Sequence, residues 1–256
     1  MVGGIVNDKD DEIWTEHSLT LTVGEVSRPV RLKVTTRPQR PVEFLPVLQL
    51  FQNEIVAVAE EAATREGKSI SCRAGCGACC RQLVPVSEIE ARHLARVVSD
   101  LPPKRRKEIK RRFRRATRAL EDANLADRGR EGWKLRADED REQLGLDYFK
   151  LGVACPFLES EACSIHPDRP LACREFLVTS PAENCADPNP DTVESVDLPA
   201  RLSYLAYRFS DGEGQGESHW FPLAFALEWF ETHRDDPEPI KPGHLMLRNV
   251  LEGLAG

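Results

Sequence analysis

The chain has 256 residues, 41% of them hydrophobic and 30% charged, with a formal net charge of −7. Apolar residues spread along its whole length exclude wholesale disorder and a collagen-like repeat, and the size suits one sizeable domain with appendages or two small ones. The first residues carry Asp8, Asp10, Asp11 and Glu12 in place of a basic and apolar leader, and the most apolar helical stretch, Trp220 to Phe230, is about half as long as a membrane span. The expectation is a cytoplasmic protein without membrane insertion.

After the acidic start, two alternating stretches, Leu19, Leu21, Val23 and Val30, Leu32, Val34, flank Gly24 to Pro29 and predict a β-hairpin. Such a ribbon needs a surface to pack on. From Glu43 to Glu66 the residues Phe44, Leu48, Phe51, Ile55, Val58 and Ala62 recur at helical spacing, and Gly67 ends the helix. Ser87 with Glu90 three residues on forms a capping box that opens a second helix through Ala95 and Val98, closed by Pro102 and Pro103. Residues 104–118 hold ten Lys or Arg against the single acid Glu108. This basic helix reads as a solvated face, or as an electrostatic contact for an acidic protein partner or an anionic lipid surface; the lack of interleaved aromatics argues against nucleic acid. Residues 126–145 read as irregular, and a Pro-rich region of loops runs from Tyr148 to about Ser195. Helices return at Leu198 to Tyr207, Phe221 to Arg234 and Leu245 to Leu254, with Gly212 to Gly216 as a flexible loop.

The expected fold is therefore mainly α, with a small N-terminal β-hairpin and a loop-rich, cysteine-ligated metal module. Its parts are an N-terminal hairpin arm (1–42), a cysteine-cluster metal-binding domain that includes the basic helix (43–197) and a C-terminal helical segment (198–256).

Eight cysteines occur, all in the middle of the chain. In a reducing compartment clustered cysteines are metal ligands or redox groups before they are disulfides. Cys72, Cys76, Cys79 and Cys80 lie within nine residues with Gly75 and Gly77 among them; glycine lets a short backbone wrap around a centre and leaves amides open toward sulfur. Adjacent Cys79 and Cys80 project in different directions, so the expectation is that one of them serves this centre while the other reaches a second centre or a partner cysteine; the spacing alone leaves nuclearity open. Cys155, Cys163, Cys173 and Cys185 form the second group. Four plus four thiols is the arithmetic of two tetrahedral sites or of a polynuclear cluster. Thiolate sites are anionic, and Arg169, set between two prolines, and Arg174, beside Cys173, are candidates for binding an anion or cofactor there, with Arg73 and Arg81 nearby. His166 is read as a packing or supporting residue and not as a ligand.

The combination of C-x-x-x-C-x-x-C-C with C-P-F-L, C-S-I-H, R-P-L-A-C-R and the trailing Cys185 resembles the YkgJ-like cysteine-cluster family, over about residues 70 to 186. That resemblance implies a zinc- or iron-chelating domain, also described as Fe–S-cluster-containing, in which Cys72, Cys76, Cys79, Cys80, Cys155, Cys163, Cys173 and Cys185 are the ligands. The family pattern has two residues between its first cysteines, whereas this chain has three between Cys72 and Cys76. A similar cluster occurs in flagellin lysine N-methylases, so the resemblance also admits a protein-modifying transferase. Two cofactors fit, a 4Fe-4S iron–sulfur cluster or zinc, in a structural or redox role. The eight thiols, the lack of a clear histidine ligand and the Cys155-Pro156 pair tilt the reading toward iron–sulfur. No nucleophile elbow, Walker A motif or HExxH helix is present, and no catalytic residue or small-molecule substrate is identified.

Overall fold

The structure, a computed structural model, describes residues 13–255 except Pro188, Pro190 and Gln215. The acidic start over residues 1–12 and the middle of the expected glycine loop lie outside the described residues. The fold is mainly α with an N-terminal hairpin, as expected.

The hairpin pairs β1 (Trp14–Val23) with β2 (Val26–Thr35) in antiparallel register from Trp14↔Thr35 to Val23↔Val26. Its turn is only Gly24-Glu25, with Gly24 at φ +56°, shorter than the Gly24 to Pro29 connection expected. Pro29 sits inside β2 opposite Thr20. A two-stranded ribbon has only edges, so the donor that proline lacks is not required by a further strand. Val30, Leu32 and Val34 turn inward, and the ribbon finds its support on the helices over Pro41–Arg65 and Gly243–Ala255.

A two-residue strand, β3 (Pro38–Gln39), leads into α1 (Pro41–Arg65). Pro41 opens the helix, the Arg40 amide donates to Glu43 at 2.8 Å, and Gly67 at φ +78° follows its end. At 25 residues α1 is long and apolar enough to cross a membrane by length and composition, which corrects the expectation that no such stretch exists. Here, however, Phe44, Leu45, Leu48, Phe51, Ile55 and Val58 are buried against the hairpin and C-terminal helices, which is how a core helix spends its apolar face.

Next come β4 (Pro85–Val86), α2 (Glu88–Asp100) and α3 (Pro103–Asp122). Both bonds of the Ser87/Glu90 capping box are present. Ile109, Phe113, Ala116 and Leu120 of α3 meet Leu94 and Val98 of α2 in a second core, so the basic residues occupy the remaining faces. The stretch expected to be irregular instead forms α4 (Ala126–Arg130) and α5 (Asp138–Lys150). Three acids in the first turn of α5 favour that end of the helix, and Leu144 and Tyr148 anchor it.

The cysteine-rich loops contain only short elements: β5 (Leu158–Glu159), β6 (Ala162–Cys163) and α6 (Leu171–Glu175). Phe157 and Ile165 tie them to the second core and Leu171 to the first. The C-terminal part is α7 (Leu202–Ala206), β7 (Phe221–Pro222), α8 (Ala226–His233), β8 (Lys241–Pro242) and α9 (Gly243–Ala255). Thus α7 begins later than expected, and Phe221 and Pro222 pair as a strand before α8 starts. β7 closes on β4 and β8 on β3, tying the end of the chain to its first half.

Candidate metal centre

Residues 72–82 form no regular helix or strand. Three turn bonds fold them: the Cys76 amide to the Arg73 carbonyl (3.1 Å), Cys80 to Gly77 (3.0 Å) and Gln82 to Cys79 (3.0 Å). Gly75 takes φ +89°. Gly77 is pressed against the β5–β6 hairpin so closely that a Cβ there would lie 2.6 Å from the Glu161 carbonyl oxygen. Two further links join the cysteine segments. The Cys155 amide donates to the Cys80 carbonyl at 2.7 Å, and Arg81 donates to both carboxylate oxygens of Glu161 at 2.8 and 3.0 Å.

The thiols lie close enough to act on one another, and Cys79 is the neighbour that those of both segments share. Cys72 and Cys185 each feel Cys76 and Cys79, and Cys185 also feels Cys72. Cys80 feels Cys155 and Cys173, while Cys173 feels Cys155 and Cys163; Cys79 acts on this group as well. Burial pushes the Cys155 thiol up to about 12 and the Cys185 thiol up to about 11, and raises Cys72, Cys163 and Cys173 in the same sense. Cys79 departs in the other direction, because the Cys80 thiol hydrogen-bonds to it; that bond and burial push Cys80 up. Backbone amides point at several sulfurs: those of Phe157 and Leu158 at Cys155, of Ile165 at Cys163 and of Val178 at Cys72. Amide dipoles of this kind stabilise thiolate once the proton is gone.

All eight thiols are free of disulfides. Among the described residues, no three His, Cys, Asp or Glu side chains already stand in an arrangement that holds a metal ion. The donor chemistry nevertheless fits a thiophilic metal: unpaired thiols gathered from two segments, amides aimed at sulfur, and a cation at hand.

That cation is Arg169. Its charge favours the thiolate forms of Cys79 and Cys163, and its buried Nε has no hydrogen-bond partner. Its guanidinium also meets Nε2 of His166. Arg174 is buried and fully occupied, donating to the carbonyls of Arg169 (3.0 Å) and Pro167 and to Asn53 Oδ1 (3.0 Å). It thereby fixes the loop that carries Arg169. Arg73 is exposed, and Arg81 is taken by Glu161.

Several supporting residues escaped the sequence reading. Buried Glu90 accepts from the Leu171 amide at 2.8 Å in addition to its capping bonds, satisfying the start of the helix that carries Cys173. Buried Glu175 accepts the Ser203 amide at 2.8 Å. Arg112 of the basic helix donates to Glu159 (2.9 Å) and the Leu158 carbonyl (3.2 Å), with Arg105 also paired to Glu159, so part of that helix's charge holds the cysteine hairpin. The available signal for Asn53 was a polar interruption, Gln49, Gln52 and Asn53, in an otherwise apolar helix.

The family model described as "CxxCxxCC: putative zinc- or iron-chelating domain" matches residues 71–191. Residues 71–191 are thus similar to the family that the cysteine motifs resemble. No curated protein and no solved structure matches the chain. The matched stretch contains every cysteine of the sequence, together with the basic helix whose Arg105 and Arg112 hold the β5–β6 hairpin. Zinc or iron chelation is what that domain is described to do.

Proposed function

We propose that the protein holds iron–sulfur centres on two sets of four thiolates, Cys72, Cys76, Cys79 and Cys185 in one and Cys80, Cys155, Cys163 and Cys173 in the other. What supports this reading is the gathering of eight free thiols around the adjacent pair Cys79 and Cys80: Cys72, Cys76 and Cys185 neighbour one another, Cys80 neighbours Cys155 and Cys173, and Cys79 neighbours both sets, which is enough sulfur for two centres of the four that a four-cysteine cluster takes. When bound, such a centre supplies one-electron redox chemistry. The chain's own residues tune it. Amides of Phe157, Leu158, Ile165 and Val178 donate to sulfur, and Arg169 offsets the negative charge of the thiolates. His166, engaged with Arg169, supports that arginine and supplies no ligand.

The test is metal and acid-labile sulfide analysis with a visible spectrum on full-length protein purified without oxygen, for wild type, Cys79→Ser and Cys80→Ser. The expected wild type is brown, with about four iron and four sulfide per centre, and each serine variant retains about half. A colourless protein with one zinc per four thiols overturns the iron–sulfur assignment in favour of a structural zinc module. Equal metal content in all three proteins overturns the ligand sets.

A further inference from the structure

A cleft of about 930 Å³ lies beside the first thiol group, at the upper end of the roughly 300–1,000 Å³ usual for small-molecule sites. Gln82, whose side chain holds the Cys185 carbonyl at 3.0 Å, and Phe176, whose carbonyl faces the Cys72 thiol, form one wall. Residues from the segment 133–149 and the buried Tyr207 and Trp220 complete the lining of the cleft. Two large side chains at this cleft are unusually open: Tyr204 is 65% exposed and Leu146 40%.

Charge at the cleft is unbalanced. Arg141 is spent on the carbonyls of Leu135 (2.8 Å) and Arg136 (2.9 Å) and on Asp138, which fixes the turn before α5. That turn presents Arg136 to the cleft, and Arg208 reaches it from the end of α7. Neither Arg136 nor Arg208 has a counter-ion among the described residues. The one further carboxylate on the wall is Glu142.

Gly145 is the decisive residue. It lies in the middle of α5, where glycine costs about 1 kcal/mol relative to alanine. No left-handed backbone requires it, and a Cβ there would meet nothing within 4 Å. Neither chain geometry nor packing explains a glycine at this point, yet it lines the cleft, and the missing side chain keeps the cleft open.

We propose that this cleft binds an amphipathic organic anion, its flat apolar body against Tyr204, Tyr207 and Trp220 and its acidic group between Arg136 and Arg208. Aromatic walls favour a planar body, and the two guanidinium groups supply donors in the geometry that carboxylate and related oxyanions accept. The site stands independently of which metal the thiols hold.

The test is a fluorescence titration of the full chain with 1-anilinonaphthalene-8-sulfonate, followed by displacement with 1-naphthoate and with uncharged 1-naphthamide. The expected result is saturable one-site binding that naphthoate displaces at least tenfold better than the amide. Gly145→Trp, which fills the cleft from a position with free space, weakens binding at least tenfold, and so does the double variant Arg136→Gln/Arg208→Gln, whose changes are confined to exposed side chains. Absence of saturable binding, or binding unchanged by both variants, overturns the site. Equal displacement by acid and amide, with the arginine variant unaffected, overturns the anion assignment. Metal content enters none of these readouts, so failure here is distinct from failure of the iron–sulfur reading.

Discussion

Gly77→Ala tests the joint between the two cysteine segments. The added Cβ would stand 2.6 Å from the Glu161 carbonyl oxygen and 2.6 Å from Leu158 Cδ1, against the roughly 3.5–4.0 Å of comfortable carbon contacts. The Leu158 methyl can swing aside; the carbonyl cannot easily follow. It belongs to a two-residue turn in which both Ser160 and Glu161 already have positive φ, and the Arg81 pair holds Glu161 from the other side. Relief therefore requires the hairpin to move by nearly 1 Å, and overpacking of this kind costs about 1–3 kcal/mol, here toward the upper end. For a chain of this size that is a melting temperature lower by about 4–10 °C. Gly75→Ala is the control: its φ of +89° imposes backbone strain of about 1–2 kcal/mol, but no atom lies within 4 Å of the new Cβ. Thermal unfolding by circular dichroism, with metal per chain measured in parallel, should show Gly77→Ala as the less stable variant and the one that loses metal. A Gly77→Ala protein that melts with wild type and keeps its metal, or a Gly75→Ala protein that is the more damaged, refutes the close approach of the two segments.

Two further outcomes follow from the same surroundings. Ser160→Gly should raise the melting temperature by about 2–4 °C, because Ser160 at φ +48° is exposed and the substitution removes about 1 kcal/mol of backbone strain; an unchanged or lower value in a calorimetric scan would show that the turn is not strained. Glu90 tests buried charge: burial raises its carboxyl above the ordinary 4.5, so its contribution to stability is full below that value and is lost as pH rises through the raised one. Denaturant titrations of wild type and Glu90→Gln from pH 4 to 8 should give a stability difference that shifts in favour of the variant as pH increases, and parallel curves would contradict the assignment.

Elements built by local rules were legible in the sequence. The alternation of Leu19 to Val34 gave the ribbon, helical spacing from Phe44 to Ala62 gave α1, and Ser87 with Glu90 marked the start of α2 within a residue. α5 was missed because its anchors Leu144 and Tyr148 crowd its second half, leaving its first turns purely polar. The opposite error ended the hairpin turn at Pro29, a residue that an unflanked strand tolerates. At the candidate metal centre, the expectation that Cys79 and Cys80 serve different groups came from the geometry of neighbouring side chains, while the structure shows Cys79 close to thiols of both segments. The roles of Asn53 and Glu90 at the cysteine loops could not be found in that way: each acts from a helix far away in sequence, and neither the polar interruption at Asn53 nor the capping position of Glu90 points to that contact. The same holds for the cleft, which exists only once Gln82, Gly145 and Tyr207 are brought together.

The two-residue strands have a consequence for how the molecule is made. β3 waits for Lys241–Pro242 and β4 for Phe221–Pro222, so neither closure can form until synthesis has passed those residues. Every cysteine emerges before them, the last at position 185. During synthesis the thiols are thus presented on an open frame, with the C-terminal elements still to come, and this is the interval in which an incoming metal has the freest access and an oxidant does the most damage. Closure by β7 and β8 follows only after every thiol has emerged.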